Sequence, residues 1–481
     1  MNKKTNIIIG GLLVSLGIIL GILGTTLSDK FIKHQESTTA TINNSVEPVE
    51  RVEDYLSEVI REKSYYYQND DLLTEGALNG MVESLDDPYS TYLSEEAYIE
   101  HTNRLKEMMY GIGISVTLNG HYPLIFNVIE GSPADIAGLQ KGDTIKTVDG
   151  IDIENKTITE VAELIKGEKG TTRTLGVYSD NSNVVSNINV TIDLINLKTI
   201  NYDFQIVDNH RIGYLLISSF MAPTYGELLA AMSHLEDQNL DDLIIDVRDN
   251  PGGLVTTVKE VLDYYINTDR PFMYSESKDK EQTLYYLDDD NHEIYYNIVV
   301  LMNENSASAA EVFAATMHEI GNYQLIGKTT FGKGTMQSSF PINIEKTQMV
   351  KLTTHIWLTP NKEWIHHIGV EPTIEVEQTK YAGISYIDSS QEISFDHVNE
   401  EIKDVQTFLN HKELSTTRID GYFDNDTKNA VLAYQAMKGL DQTGVVDDRT
   451  AYYLNLDIIN YITDKNYDDQ YQKALDYIIN Q

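Results

Sequence analysis

The spacing of hydrophobic and polar positions changes several times along the chain, and each change indicates a different kind of structure. Residues 7–27 form one apolar run without a charged side chain. As a helix rising about 1.5 Å per residue, this run is long enough to span the apolar core of a bilayer. Residues 28–47 are polar and rich in Thr, Ser and Asn, a composition typical of a flexible linker. From residue 48 to 107, apolar residues recur at three- and four-residue steps, which predicts helices.

The apolar run has two interpretations. A cleavable signal peptide has a shorter apolar segment and a small-residue cleavage site, and Leu23-Gly24-Thr25-Thr26 matches such a site poorly. We therefore predict that residues 1–27 are a retained single-pass membrane anchor. Charge indicates its orientation only weakly, because lysines lie on both sides of the run.

Short β-like runs separated by turn residues occupy residues 108–195. They include an Asp149-Gly150 turn between two short strands and an amphipathic helix that ends at Gly167. Taken in order, these features resemble a PDZ domain. The resemblance implies that a peptide adds a strand to the edge of the sheet. It also implies which backbone N–H groups bind the peptide's terminal carboxylate: those of Gly111, Ile112, Gly113 and Ile114.

Strands and helices alternate from residue 196 to 380, which predicts an α/β domain. Helical periodicity returns at residues 398–457, where short IDGYFD and TGVVD turns separate the helices. This unit resembles the three-helix peptidoglycan-binding domain, and the alternative is an unspecialised helical tail. Residues 458–481 are predicted to form a terminal helix. The fold class is therefore multidomain α/β, with a transmembrane helix at one end and a helical domain near the other.

Composition narrows the function. At 481 residues the chain is long enough for about three domains, and 41% hydrophobic residues suffice for buried cores. The net charge of −38 argues against a nucleic-acid partner, because the phosphate backbone would be repelled. The absence of cysteine excludes thiol catalysis and disulfides. Since an H-E-x-x-H motif is absent too, we expect neither a metal site nor a cofactor.

Ser308 is the first candidate for chemistry. It follows a predicted buried strand and opens a small-residue helix, and Ser308-Ala309-Ala310-Glu311 fits a capping box. A serine at a helix start also has backbone N–H groups and the positive end of the helix dipole beside its oxygen, as an oxyanion-forming nucleophile requires. His318 cannot be its base, because ten residues of helix place it about 15 Å away.

Lys333 is the candidate base, provided that burial lowers its pKa enough to make the amine neutral. If Lys333 and Gln337 share one face of a strand, the Gln337 amide can orient the amine. The GKTTFGK run also resembles a phosphate-binding loop. However, Gly334 occupies the position that needs Ser or Thr, and the following segment is strand-like. From the residues alone, a Ser–Lys dyad remains one possibility beside a helix cap and a glycine-flanked lysine.

Several long motifs together change this balance: GMVESLDDPYSTYL, DVRDNPGG, NENSASAAE and GKTTFGKGTMQ. In this order, around the inserted PDZ unit, they resemble the carboxyl-terminal processing peptidases, also called tail-specific proteases. The resemblance implies that Ser308 rather than Ser306 is the nucleophile, with Lys333 as base and Gln337 in support. It implies an oxyanion hole of backbone N–H groups from Ala309 and from Gly252 or Gly253. It also implies a crotonase-like α/β core.

One departure from the family concerns the PDZ unit. Relatives carry arginine at the end of the second PDZ helix, where it couples peptide binding to activation, and this chain has Lys166 there. Lysine keeps the positive charge but loses the planar fork of the guanidinium. The sequence therefore leaves open whether Lys166 performs this gating role.

The expected protein is a membrane-anchored serine endopeptidase outside the cytoplasmic membrane that cleaves exported proteins near apolar C-terminal tails. The expected partners are those tails, the membrane, peptidoglycan and a second copy of the chain in a dimer. The alternative is an inactive wall-associated scaffold that binds protein C-termini. The presence of Ser308, Lys333 and Gln337 counts against that alternative.

Overall fold

The computed structural model describes residues 47–119, 121–179, 184–288, 293–377, 385–389, 393–414 and 416–480. The predicted anchor at residues 1–27, and the predicted linker apart from its last residue, lie outside them. Among the described helices, none is long and apolar enough to cross a membrane. The chain divides into two compact units, which meet in the sequence between Ser84 and Leu85.

The described part of the first unit consists of two helices, α1 (Glu47–Lys63) and α2 (Asp70–Glu83). The side chain of Asn69 caps α2 by accepting a hydrogen bond from the Leu72 N–H at 2.8 Å. Arg61 bonds Asp70 at 2.8 Å and so joins the end of α1 to the start of α2. The helical pattern predicted for this region is therefore present, as two capped helices.

The PDZ-like part of the second unit is a six-stranded sheet in the order β3-β4-β5-β7-β8, with β6 paired to β5. A two-stranded ribbon of β2 and β9 adjoins it. β3 is an edge strand, because among the described strands it pairs only with β4. The elements of this part are β2 (Met108–Gly111), β3 (Ile114–Asn119), β4 (Tyr122–Val128), α4 (Pro133–Ile136), β5 (Thr144–Val148), β6 (Ile151–Asp152), α5 (Ile158–Ile165), β7 (Thr172–Ser179), β8 (Val184–Thr191) and β9 (Asp193–Asn196).

The α/β core contains a second six-stranded sheet in the order β10-β11-β12-β15-β16-β19, parallel except for the β10–β11 pair. Because β12 and β15 are parallel neighbours, the loops that follow their carboxyl ends lie side by side. These loops carry the Asn250-Pro251-Gly252-Gly253 turn and Ser308. The elements are β10 (Ile200–Val207), β11 (His210–Ile217), α6 (Thr224–Glu236), β12 (Asp242–Asp246), α7 (Val255–Tyr265), β15 (Asn297–Met302), α8 (Ala309–Glu319), β16 (Gln324–Gly327) and β19 (Ile374–Glu375).

A further sheet brings the segment after Lys333 together with the turn at residues 85–90. In it β18 is central, with β17 along one side and β1 and β13 at different ends of the other side; β14 pairs with β13. β1 starts one residue after the turn, so pairing with β18 fixes the position of that turn. The strands are β1 (Thr91–Leu93), β13 (Met273–Ser277), β14 (Gln282–Tyr285), β17 (Thr335–Pro341) and β18 (Met349–Leu358). A short helix, α3 (Glu95–Leu105), leads from β1 towards β2.

The helical domain near the C-terminus consists of α9 (Glu400–His411), α10 (Asn425–Met437) and α11 (Asp448–Ile462). Two fully buried glutamines hold its turns with the same hydrogen bonds. Gln406 accepts from the Gly421 N–H at 3.0 Å, and Gln435 accepts from the Gly444 N–H at 2.9 Å. The two IDGYFD and TGVVD turns are therefore equivalent structures.

The last helix, α12 (Asp469–Ile479), belongs to the α/β core. Its apolar residues Tyr471, Ala474, Leu475 and Ile478 pack on one face of the central sheet. At its start, the Asp468 carboxylate bonds the buried guanidinium of Arg248 at 2.6 Å. The prediction of a single helix over residues 458–481 is wrong, because α11 ends at Ile462 and a short 3₁₀ turn separates it from α12.

Candidate active site

Ser308 lies at the N-terminal cap of α8, with φ +56° and ψ −114°. A positive φ is uncommon for a residue with a Cβ, and such strain persists where the surrounding structure imposes it, often at functional sites. Ser308 is half-buried. The neighbouring Ser306 is fully buried; its hydroxyl donates to the Val247 carbonyl at 2.8 Å and accepts from the Asn303 N–H at 3.0 Å. Ser306 thus holds the loop together.

The Asn250–Gly253 turn lies directly against Ser308. A Cβ built on Gly252 would be 2.8 Å from both Ser308 Cβ and the Ala309 nitrogen, so this close approach requires glycine. Asn250 fixes the turn: its side chain donates to the Ile217 carbonyl at 2.7 Å and accepts from the Gly252 N–H at 2.8 Å. Because the Gly252 N–H is engaged, the Gly253 N–H fits the predicted oxyanion role better.

Glu311 connects the serine segment to the lysine segment. Its Oε2 accepts from the backbone N–H groups of Ser308 at 2.7 Å and of Lys333 at 2.8 Å. Its Oε1 accepts from the Gly332 N–H at 2.6 Å and from the Thr330 hydroxyl at 2.7 Å. Burial raises the pKa of Glu311, while these four hydrogen bonds favour its charged form. One buried carboxylate therefore brings both candidate residues to a single point.

The Lys333 amine is enclosed by groups from several elements. The Tyr89 ring centroid lies 4.6 Å from its Nζ atom. Burial lowers the pKa of Lys333, and the positive charge of Lys351 lowers it further, whereas the carboxylates of Glu311 and Asp87 act in the opposite direction. The net downward shift is the direction that a lysine base requires.

The Gln337 amide is held by two threonines. Its Nε2 donates to the hydroxyl of Thr335 at 3.2 Å and to that of Thr353 at 3.1 Å. The expectation that Lys333 and Gln337 share a face of one strand is wrong. β17 begins at Thr335, beyond the lysine, and a bulge interrupts its pairing just before Gln337.

The predicted carboxylate-binding residues of the PDZ unit lie at the β2–β3 connection. The carbonyl of Ile112 accepts from the Ala134 N–H at 2.8 Å, and that of Gly113 accepts from the Ile129 N–H at 2.9 Å. Gly113 has φ +85°, and a Cβ there would lie 2.3 Å from Ser132 Cβ. The segment from Ile129 to the start of α4 thus binds the carbonyl groups of this loop.

Lys166 caps the end of α5, and its amine lies on the surface, 3.8 Å from the Glu163 carboxylate. Its carbonyl accepts a hydrogen bond from the Arg173 guanidinium at 2.6 Å. Arg173 also bonds Asp149 at 2.9 Å. A planar guanidinium is therefore present beside the end of α5, although it comes from β7 rather than from position 166.

Sequence reasoning missed three contributors to the site. Glu311 was assigned only a capping role, and Asp87 and Tyr89 entered only as part of the family motif GMVESLDDPYSTYL. The LDDPYS run was the available signal for Asp87 and Tyr89. A turn that only reverses the chain direction does not need such a specific sequence. What the motif could not indicate is that the turn lies over a lysine far along the chain.

Comparison with known families matches four segments of the chain. Residues 211–376 match peptidase family S41, and residues 125–178 match a PDZ domain. Residues 398–454 match a putative peptidoglycan-binding domain. Residues 18–97 match the N-terminal domain of the activating protease CtpB. The sequence resemblance to this family, to PDZ domains and to peptidoglycan-binding domains is thereby confirmed.

Whole-chain relatives agree with these matches. The carboxy-terminal processing protease CtpB of Bacillus subtilis is 33% identical over 422 residues, 88% of this chain and 85% of that protein. The carboxy-terminal processing protease CtpA of the same organism is 34% identical over 419 residues, 86% of this chain and 87% of that protein. A probable CtpA-like serine protease of Staphylococcus epidermidis is 28% identical, covering 91% of this chain and 88% of that protein. The chain therefore belongs to the carboxy-terminal processing proteases of peptidase family S41, which are serine-type peptidases.

Proposed function

We propose that the protein is a Ser–Lys endopeptidase that cleaves exported proteins near apolar C-terminal tails, with Ser308 as nucleophile and Lys333 as general base. One observation carries the proposal. The backbone amides of both residues meet on Glu311 Oε2, and the lysine amine is buried enough for its pKa to fall. A lysine whose backbone is held beside that of a strained, helix-capping serine, and whose pKa is shifted downward, supports this assignment of nucleophile and base.

The chemistry balances with these two side chains. Neutral Lys333 accepts the proton of the Ser308 hydroxyl as its oxygen attacks the scissile carbonyl carbon. The N–H groups of Ala309 and Gly253 stabilise the resulting oxyanion. The C–N bond then breaks, the leaving amine takes the proton from Lys333, and an ester to Ser308 remains. A water molecule, deprotonated by Lys333, hydrolyses this ester and releases the serine.

Gln337 has an indirect part in this scheme. Its amide donates to the Thr353 hydroxyl at 3.1 Å, and the Thr353 N–H donates to Ser90 in the turn that carries Asp87. The glutamine thus supports the wall of the lysine pocket instead of orienting the amine by a direct hydrogen bond.

The PDZ unit supplies the substrate preference in this proposal. An extended tail would add to the edge strand β3, and the Gly111–Ile114 loop would receive its terminal carboxylate. Tail binding gates access to the dyad, and Lys166 is the family's gating position in this chain. The predicted single-pass anchor at residues 1–27 would hold the protein in the cytoplasmic membrane, and the peptidoglycan-binding domain supports an extracytoplasmic location of the catalytic domain. We further propose that the protein acts as a homodimer.

The test uses full-length protein and a reporter substrate that ends in an apolar tail, with a free or an amidated C-terminus. Wild type is compared with Ser308→Ala, Lys333→Ala and the control Lys328→Ala, which changes a lysine paired with surface glutamates. We expect cleavage by wild type and Lys328→Ala only, and slower cleavage of the amidated substrate. Equal cleavage by all four proteins would refute the dyad. Binding without cleavage by wild type would favour the scaffold alternative.

Location needs a separate experiment. A protease added to intact cells is expected to release the catalytic domain if it faces outward. Complete protection of the catalytic domain, with cleavage only after lysis, would refute the proposed location. The dimer is tested by cross-linking the protein in the membrane and measuring the mass of the product. A dimer should give a product of twice the mass of one chain, and recovery of single chains alone would contradict it.

A further inference from the structure

We propose that the Asp87–Ser90 turn is a positioning element for the general base, with Tyr89 covering the Lys333 amine and Asp87 setting the charge beside it. This inference rests on the role of Lys333 in the proposed function. It assigns a task to the LDDPYS motif, whose residues take no part in the chemical steps described above.

The turn is internally rigid. The Asp87 carboxylate accepts from the Tyr89 N–H at 3.1 Å and from the Ser90 hydroxyl at 2.5 Å. The Ser90 hydroxyl oxygen in turn accepts from the Thr353 N–H at 3.1 Å, which fixes the turn to β18. β1 continues this attachment, since Thr91 pairs with Lys351 on the same strand. The turn is therefore held by the sheet that also contains the strand following Lys333.

Tyr89 is placed to exclude water from the amine. Its ring centroid lies 4.6 Å from Lys333 Nζ, and the tyrosine is itself half-buried. A ring face so close to a cation favours the charged form through the cation–π interaction, but it also displaces the water that would solvate that charge. Because burial is the largest influence on the Lys333 pKa, we expect loss of the ring to act mainly by readmitting water.

Thr353 connects the Asp87 turn to Gln337. Its hydroxyl accepts from Gln337 Nε2 at 3.1 Å, while its backbone N–H donates to the Ser90 hydroxyl, which donates to the Asp87 carboxylate. Burial opposes ionisation of Asp87, but its hydrogen bonds and the nearby Lys333 hold the pKa of this carboxyl below its usual value. Asp87 is therefore a negative charge facing Lys333 from the turn.

The charges around Lys333 come from three elements. Lys351 on β18 disfavours the ammonium, while Glu311 on α8 and Asp87 in the turn favour it. Glu311 also holds the backbone, so changing it would alter geometry and charge together. In the turn these two effects belong to different residues. Tyr89 covers the Lys333 amine and Asp87 provides the charge, so substitutions can separate the two effects.

The experiment measures kcat/KM against pH for full-length wild type, Tyr89→Ala, Tyr89→Phe and Asp87→Asn. The acidic limb of this profile reports the base of the free enzyme. Tyr89→Ala should move the limb to higher pH, because water then stabilises the ammonium. Asp87→Asn should move it to lower pH, because a favourable negative charge is lost. Tyr89→Phe keeps the ring and should leave the limb in place.

A second measurement covers variants too slow for a profile. The pH dependence of Lys333 modification by an amine-reactive reagent, read by peptide mass spectrometry in the Ser308→Ala background, reports the same pKa without catalysis. This inference is overturned if the acidic limb of the pH profile stays unchanged in Tyr89→Ala and Asp87→Asn, or if it moves in the same direction in both variants. If Lys333→Ala is inactive in that case, the proposed function survives. If Lys333→Ala cleaves normally, the proposed function itself fails.

Discussion

The backbone N–H groups of Ser308 and Lys333 donate to the same atom, Oε2 of Glu311, at 2.7 and 2.8 Å. Residues 25 positions apart in the sequence are thereby held at one point in space. The Glu311 side chain is fully buried, and all four groups that face its carboxylate are donors. Such a setting favours the ionised carboxylate. If one oxygen were protonated, its O–H group would be a donor that faces other donors.

Replacing Glu311 by Gln tests this connection. The amide nitrogen would face N–H or O–H donors, and buried groups left unsatisfied cost about 1–3 kcal/mol. We expect a lower free energy of unfolding and a lower kcat, with a smaller change in KM. Denaturant unfolding and steady-state kinetics measure these effects. Glu260→Gln, on the exposed surface of α7, is the control. Equal stability and kcat in both variants would contradict the connection.

The half-buried Lys333 and its lowered pKa predict an inactive but more stable variant. Because its folded-state pKa lies below the unfolded value, the unfolded chain binds more protons between the two values, and stability rises with pH across that window. Lys333→Met removes the free-energy cost of burying the amine, so we expect this variant to be more stable than wild type. The difference should be greatest below the folded-state pKa of Lys333 and should shrink as pH rises towards the ordinary lysine value of about 10.4. Unfolding curves at a series of pH values test this. If the stability difference between Lys333→Met and wild type grew with pH, the assigned direction of the Lys333 pKa shift would be wrong.

Gly252→Ala should damage the site through a steric clash. The added Cβ would lie 2.7 Å from the Ala307 carbonyl oxygen and 2.8 Å from Ser308 Cβ, at a φ of +99°. Displacing the oxyanion turn should lower kcat by roughly 10²–10³-fold, the cost typical of losing one oxyanion donor. Gly226→Ala is the matched control, since a Cβ there meets nothing within 4 Å and α6 should gain stability by up to about 1 kcal/mol. Comparable activity in the two variants would contradict this account.

The C-terminal helix should be needed for stability of the protease core. Ile478 is 1% exposed and packs in the cluster that covers one face of the central sheet. Ile478→Ala should therefore cost about 2–5 kcal/mol of unfolding free energy, whereas Lys473→Ala on the exposed side of α12 should cost little. Equilibrium unfolding in denaturant provides the comparison. Identical midpoints would mean that α12 contributes nothing to the core.

Local pattern determined the kinds of element and the identity of the candidate residues. Helix caps, turn residues and alternating strands depend on neighbours within a few positions, so the sequence indicated α8 beginning after Ser308 and the PDZ-like hairpins. Family motifs then distinguished Ser308 from Ser306 and indicated Lys333. The division of residues 458–481 was misjudged because the periodicity of α11 continues beyond the domain it belongs to, and only packing on the sheet shows that α12 has a different partner.

The tertiary structure decided what surrounds these residues. The surroundings of the Lys333 amine include the ring of Tyr89 and the charge of Asp87, which precede it by more than two hundred residues. The link between Ser308 and Lys333 depends on a glutamate that locally fits a helix cap. Such contacts have no spacing signature, because they arise where separate elements pack against one another. By itself the sequence indicated which groups are candidates for the chemistry, while the environment that sets their charge and position exists only in the folded chain.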